Sequence, residues 1–211
     1  MDHITTGDSE ANVTGKTILV TGGAGFIGSH LVGSLVADND VRVLDDLSTG
    51  NRERVPDGAT LIKGDVGDQG DVGRAMRGVD VVFHLAAMVN VARSVEVPTQ
   101  SHSVNVDGTL NVLEEARRSG ARVVLASSAA IYGAPESLPI TEDEPPAPAS
   151  PYGLEKLTVD RYAKLYHDLY EVPTVRIRPF NAYGPGQTGG DYSGVISIFM
   201  QQARAGDPIT V

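Results

Sequence analysis

The chain has 211 residues, a formal net charge of −10, 24 Gly, and neither Cys nor Trp. That length suits one domain or slightly more, and the lack of Cys excludes a disulfide scaffold, a Cys-based zinc site and a thiol nucleophile. No apolar run approaches the roughly 20 residues of a membrane-spanning helix. With 17 Lys and Arg against 27 Asp and Glu, no basic stripe is left for nucleic acid or anionic lipid.

Residues 1–15, MDHITTGDSEANVTG, are polar and aperiodic, without the basic-then-apolar order of a secretory signal. They read as a flexible acidic tail on a cytoplasmic protein. Short β-branched runs then alternate with helical stretches. Strands are expected at Thr17–Thr21, Val41–Leu44, Thr60–Lys63, Val81–Leu85, Arg122–Ala126 and Thr174–Arg178, with helices at Phe26–Ala37, Asp68–Arg77, Thr99–Ser119 and Pro151–Tyr170. Nearly unbroken apolar strands, each followed by a helix, predict an α/β fold with a doubly wound parallel (Rossmann) sheet covered on both faces. Ligands are expected beyond the carboxyl ends of its strands. Residues 133–150, with five prolines and four acids, read as a surface loop.

The first expected strand runs into Gly22-Gly23-Ala24-Gly25-Phe26-Ile27-Gly28. Gly22 permits a tight turn, Gly25 lets backbone approach a pyrophosphate, and Gly28 allows close helix–strand packing. The helix that follows offers free N–H groups and its positive end to phosphate. The next strand ends in Asp45, 17 residues after Gly28, near the spacing at which a carboxylate meets the adenosine ribose. An acid there repels a 2′-phosphate, so NAD is favoured over NADP. Asp46 reads as a loop or cap residue. Asp65, after the third strand, reads equally as a turn former or as a group facing the adenine amino group.

Tyr152 and Lys156 lie four apart in SPYGLEK. With Ser150 as N-cap and Pro151 at the first helical position, both fall on one helix face. Composition alone would supply far fewer than one such pair. Ser128 closes the preceding strand and can reach the same cavity. This set suits proton transfer from an alcohol: a free tyrosine has a pKa near 10, and an adjacent ammonium and an oxidised nicotinamide both favour its phenolate. The five His show no metal-ligand spacing, and His84 reads as a packed strand-end residue, not a base. Tyr162, Leu165, Tyr166 and Leu169 form an apolar stripe at helical spacing, by default a core face.

The ordered motifs TGGAGFIGS, LDDLSTGNRE, GDV, FHLAA, SVNVDGTLNV, ASSAAIYG, SPYGLEK and RIRPFNAYGPG resemble the extended short-chain dehydrogenases/reductases, and among them the nucleotide-sugar 4-epimerases of the UDP-glucose type. The resemblance implies Gly22, Gly25, Phe26 and Ile27 at the pyrophosphate, Asp45 at the ribose, Asp65 and Val66 at adenine, and Ala86 and Ala87 along the cofactor. It implies Asn105 as a brace behind the catalytic helix, and Ser128, Tyr152 and Lys156 as the catalytic set, with Tyr152 and Lys156 also touching NAD. Phe180 is expected near the nicotinamide, and Asn181 and Ser128 against the nucleotide sugar. The implied reaction is epimerisation at C4 through a transient 4-keto sugar, with no metal. Its alternatives are a related reductase or epimerase, and a dinucleotide-binding module without turnover. Family dehydratases carry an acid shortly after the active-site Ser or Thr; this chain has Ala129 and Ala130 there, which disfavours dehydration. A homodimer through helices 99–119 and 151–170 is also implied, with the stripe of Tyr162, Leu165, Tyr166 and Leu169 as interface instead of core. The domains expected are the tail, an NAD-binding Rossmann domain over 16–180, and over 181–211 the truncated start of a smaller substrate lobe. The acidic surface is either an ordinary solvated one or that of a halophilic protein, whose carboxylates are screened by salt.

Overall fold

Ile18 and Val20 of strand β1 (Thr17–Thr21) face one side of a sheet and Leu19 the other, and none has exposed surface. This two-sided burial follows from a strand with no polar face. A computed structural model describes residues 13–135, 137–187 and 195–209. The other strands are β2 (Asp40–Asp45), β3 (Thr60–Lys63), β4 (Val81–His84), β5 (Arg122–Ala126) and β6 (Thr174–Ile177). All pairings are parallel, in the order β3-β2-β1-β4-β5-β6. The order reverses between β1 and β4, and the crevice beyond that switch point is where a doubly wound sheet takes its ligand.

Helix α1 (Phe26–Leu35) covers one face, where Val32 packs on Ile18, Val20, Val41 and Val43. Helices α2 (Gln69–Ala75), α5 (Gly108–Ser119) and α6 (Pro151–Tyr170) cover the other, around Leu19, Leu44, Val72, Val112, Leu113 and Val123. At the sheet edge the covering expected on both faces is incomplete: Val175 and Ile177 of β6 are 49% and 41% exposed.

Two helical segments differ from the sequence reading. The helix expected over 99–119 is α4 (Pro98–His102), a wider π-type turn over Ser103–Asp107, and α5. A π-type turn accommodates one extra residue and recurs at functional sites; here it holds Asn105, which is 2% exposed. Helix α3 (Val91–Glu96), to which the sequence reading assigns nothing, starts where the Asn90 side chain accepts from Arg93 N at 2.8 Å. Its six residues are too few for an apolar period to show. Helix α7 (Val195–Ala205) is the last element among the described residues. The tail expected over 1–15 lies outside them up to residue 12; Val13 O accepts from Asn39 Nδ2 at 2.8 Å and Gly15 N donates to Asp38 O at 2.8 Å.

Candidate active site

Every site residue expected from the sequence follows the carboxyl end of a strand or lies at the start of α6. After β1, Gly22 turns the chain at φ +69°, and a Cβ on it would lie 2.8 Å from Ala86 N. A Cβ on Gly28 would lie 2.2 Å from Gly22 O, so the third glycine brings α1 against the turn. Gly25 caps α1 with no side-chain hydrogen bond, and a Cβ there would meet only Gly22 O, at 3.2 Å. The first-turn N–H groups of Phe26, Ile27 and Gly28 have no acceptor within the helix. A bare glycine cradle under a helix N-terminus fits a pyrophosphate, as the NAD assignment requires.

Asp45, 7% exposed, accepts from Ala24 N through Oδ2 and from Leu47 N through Oδ1, each at 2.9 Å. It therefore braces the glycine turn, a task the sequence reading did not assign. A carboxylate has about four acceptor positions, so ribose hydroxyls can share it. Asp46 accepts from Ser48 N at 2.9 Å, as a loop residue. Asp65 is exposed and accepts from Gly67 N at 2.8 Å, which makes it a turn former in the protein alone. Val66 is buried, close enough to α5 that a Cβ on Gly108 would lie 2.7 Å from it. Ala86 and Ala87 leave β4 partly buried, and Ala86 N donates to Thr21 Oγ1 at 3.2 Å.

On the other side of the crevice, Ser128 opposes the effect of burial on the Tyr152 phenol, and its hydroxyl accepts from Ala130 N at 3.1 Å. Ser150 caps α6 by accepting from Gly153 N at 3.0 Å, with Pro151 next to it. Buried Ser94 of α3 accepts from Tyr152 N at 3.1 Å. Lys156 Nζ lies 5.8 Å from the centre of the Tyr152 ring and donates to Ala126 O at 2.9 Å. Burial lowers the Lys156 pKa to about 8, against an upward pull from Glu155. Burial likewise pushes the Tyr152 phenol above its ordinary value, the Ser128 hydrogen bond opposing and Glu155 assisting. In the protein alone, burial outweighs the Ser128 interaction and the phenol is held in its protonated form.

His84 is packed, as expected. Its Nδ1 pairs with Thr21 Oγ1 at 2.7 Å and its Nε2 with Thr109 Oγ1 at 3.0 Å. Burial, aided by the Lys156 charge, lowers its pKa to about 3. The expected apolar stripe of α6 divides: Tyr162 and Tyr166 pack in the core, while Leu165 and Leu169 are 45% and 61% exposed. The buried stripe is Tyr152, Glu155, Lys156, Val159, Asp160, Ala163 and Tyr166. Three of these are charged, and an apolar period cannot register them. Glu155 and Asp160 were missed for that reason, and charged residues at the spacing of the Tyr152–Lys156 face are the signal that could have found them; Ser94, on α3, carries no such signal.

Asp160 has no exposed surface and accepts from Arg178 Nε at 2.9 Å and from Arg176 Nη1 at 3.2 Å. Arg178 also donates to Tyr132 OH at 2.7 Å. The Tyr132 ring stacks on Phe180 at 6.4 Å. Phe180 and Asn181 are both exposed, so this chain of contacts sets where the segment after β6 leaves the sheet. Among the described residues no three His, Asp or Glu gather as a metal site, and no helix is long and apolar enough to cross a membrane.

Sheet order, glycine cradle and Ser–Tyr–Lys set together define a dinucleotide-binding protein of the extended short-chain dehydrogenase/reductase type. The profile of the NAD dependent epimerase/dehydratase family matches residues 18–211, and the chain belongs to that family. It is 44% identical over 189 residues to a putative UDP-glucose 4-epimerase of Methanocaldococcus jannaschii, covering 88% of this chain and 62% of that protein. Against the UDP-glucose 4-epimerase of Mycolicibacterium smegmatis the identity is 42% over 197 residues, covering 89% and 63%. The structure of Thermus thermophilus UDP-glucose 4-epimerase in complex with NAD superposes with a TM-score of 0.86 at 42% identity, over 92% of this chain and 65% of that one. A UDP-N-acetylglucosamine 4-epimerase of Methanobrevibacter ruminantium, in complex with UDP-N-acetylmuramic acid, gives 0.88 at 35%, over 92% and 64%. The chain thus spans less than two thirds of each of these relatives.

Proposed function

We propose that this chain carries the cofactor-binding and proton-transfer part of an NAD-dependent epimerase acting on a nucleotide sugar at C4, of the UDP-glucose/UDP-galactose type. The observation that carries the proposal is the placing of Ser128, Tyr152 and Lys156 across one crevice from the glycine cradle. Gly22, Gly25, Phe26, Ile27 and Gly28 would hold the pyrophosphate, Asp45 the ribose, Asp65 and Val66 the adenine. Ala86, Ala87 and Phe180 would flank the remainder of the cofactor. When bound, NAD supplies a hydride acceptor that becomes the donor in the second half of the turnover. Ser128 holds the C4 oxygen, Tyr152 takes its proton as C4 becomes a ketone, and Lys156 fixes the tyrosine and the nearby ribose. After the keto sugar turns over, Tyr152 returns the proton. Ala129 and Ala130 open the 3-10 turn after Ser128 and bring no carboxyl to the sugar, which favours epimerisation over loss of water.

Residues 16–180 would form the NAD domain, and the segment from Asn181, which would touch the nucleotide sugar, the opening of a substrate lobe. A homodimer through helices 99–119 and 151–170 is supported by exposed Leu154, Leu165 and Leu169. Leu154 and Leu165 line a surface cavity of about 580 Å³ with Leu157 and Tyr162, apolar surface that association would cover. A cytoplasmic location agrees with the lack of a membrane-crossing helix among the described residues. Adaptation to salt agrees with the net charge of −10, and a fall in stability at low salt would support it.

The test incubates the purified chain with UDP-galactose and UDP-N-acetylglucosamine and follows formation of the C4 epimers, beside Tyr152→Phe. Conversion by the wild type, reduced by roughly 10²–10⁴-fold in the variant, is the expected result. No conversion of any nucleotide sugar would overturn the epimerase reading, and equal activity in the variant would overturn the role of Tyr152. Release of NAD alone on denaturation, with neither conversion nor reduction of any sugar, would favour a binding module.

A further inference from the structure

Between Tyr152 and Lys156 on the buried face of α6 lies Glu155, 5% exposed. Its Oε2 accepts from Ser101 Oγ of α4 and from Asn105 Nδ2 of the π-type turn, both at 2.7 Å. Asn105 in turn closes on the main chain of Met88: Met88 N donates to its Oδ1 at 2.8 Å, and its Nδ2 donates to Met88 O at 3.1 Å. Burying a carboxylate is costly unless its bonds are made, and an apolar residue would fill the same place at no such cost. The carboxylate is met here by two donors from two other elements. One of those donors runs on to the β4 exit, two residues past Ala86.

We propose that Glu155 is a positioning residue for the Tyr152–Lys156 pair, clamping α6 to the π-type turn and, through Asn105, to the segment that leaves β4. The inference rests on the proposed function only in taking Tyr152 as the proton acceptor. Two consequences follow from where the carboxylate stands. The clamp sets the height of Tyr152 over the crevice, because α6 has no other side-chain bond to α4 or to the π-type turn among the hydrogen bonds made by its buried face. The charge of Glu155 also acts on its two neighbours, pulling the pKa of both Tyr152 and Lys156 upward. The other groups around it are few. His102 of α4 lies with Glu155 along a small groove between α4 and α6, His84 of β4 is buried against Lys156 with its pKa lowered to about 3, and Asp160, a turn further along α6, is paired with Arg176 and Arg178.

Two substitutions separate clamp from charge. Glu155→Gln keeps an oxygen for Ser101 and Asn105 and removes the charge; Glu155→Ala removes both. Tyr152 is titrated by its tyrosinate absorbance, as the difference between each protein and the same protein carrying Tyr152→Phe, a readout that needs no turnover. Glu155→Gln is expected to fold, to bind NAD, and to ionise Tyr152 at least about half a pH unit lower than the wild type. Glu155→Ala is expected to lose about tenfold or more in kcat with KM changed less than about threefold. An unshifted Tyr152 titration in Glu155→Gln would overturn the proposal. So would a Glu155→Ala protein that melts earlier yet keeps the wild-type kcat, the result of a merely structural role. If the wild type converts no nucleotide sugar, the epimerase reading fails while the titration still decides the place of Glu155.

Discussion

The two sides of the crevice are made of different material. On the β1–α1 side the groups that would meet the cofactor belong to the backbone. Gly22, Gly25 and Gly28 matter for the side chains they lack, and Asp45 spends both oxygens on main-chain N–H groups. On the α6 side the working groups are side chains, buried and titratable, whose properties come from neighbours brought in by α3, α4, β4 and β6. A backbone cradle tolerates no added atom but is indifferent to pH. A side-chain cluster keeps its shape under conservative substitution but moves with every nearby charge.

The steepest way to break this contrast is at the cradle. Gly28→Ala places a Cβ 2.2 Å from Gly22 O, backbone that cannot swing aside, and should cost about 3 kcal/mol or more. Thermal and urea unfolding of the variant against the wild type checks it. A gain of up to about 1 kcal/mol, the effect of Gly→Ala at an unconstrained helical site, would mean that α1 and the turn are not in contact.

On the α6 side, Asp160→Asn should cost roughly 3 kcal/mol, at the low end for a broken buried pair, because Arg176 and Arg178 keep 31% and 21% of their side-chain surface in water. The same pair sharpens the contrast in pH. Burial opposes ionisation of Asp160, but hydrogen bonds from Arg178 and Ser127 outweigh it and hold the carboxyl below its ordinary 3.8. Its contribution is therefore present above pH 3.8 and lost as the pH falls through the depressed folded value. Asn at 160 should flatten that acid limb in urea titrations.

His84 supplies the next effect. The folded imidazole takes a proton only near pH 3, the unfolded one near 6.5. The unfolded chain binds more protons across that window, so stability falls with falling pH by up to about 1.4 kcal/mol per unit. Unfolding free energies measured across that range should lose this slope in His84→Gln, and an unchanged slope would contradict the buried neutral ring. The smallest effect returns to the cradle. Asp45→Asn puts an amide against a main-chain N–H and should cost about 1 kcal/mol, read as a lower melting temperature together with weaker NAD binding.

The same contrast explains what the sequence could disclose. The parallel order, the strand ends and the glycine turn were legible because a local pattern specifies each: an apolar strand, a Gly triplet, an acid 17 residues on. Tyr152, Lys156 and Ser150 were legible as well, being one helix turn with its cap. Glu155, Ser94 and the Asp160–Arg178–Tyr132 set were not, since each has meaning only through partners up to 58 positions away. The π-type turn was hidden inside an otherwise helical run, and the period of the Tyr162–Leu169 stripe could not separate its buried members from its exposed ones, because both kinds of face share that period. The upward shift of Tyr152 in the protein alone was not legible for a related reason: burial depth is a property of the fold.

The division between a backbone side that binds and a side-chain side that reacts is tested by calorimetric titration of NAD into the wild type, Tyr152→Phe and Gly28→Ala. The phenol oxygen gives at most one bond to the cofactor, so Tyr152→Phe should bind within about tenfold of the wild type. A folded Gly28→Ala should bind about a hundredfold more weakly or worse. Equal affinity in all three proteins, or a larger loss in Tyr152→Phe than in Gly28→Ala, would contradict the division.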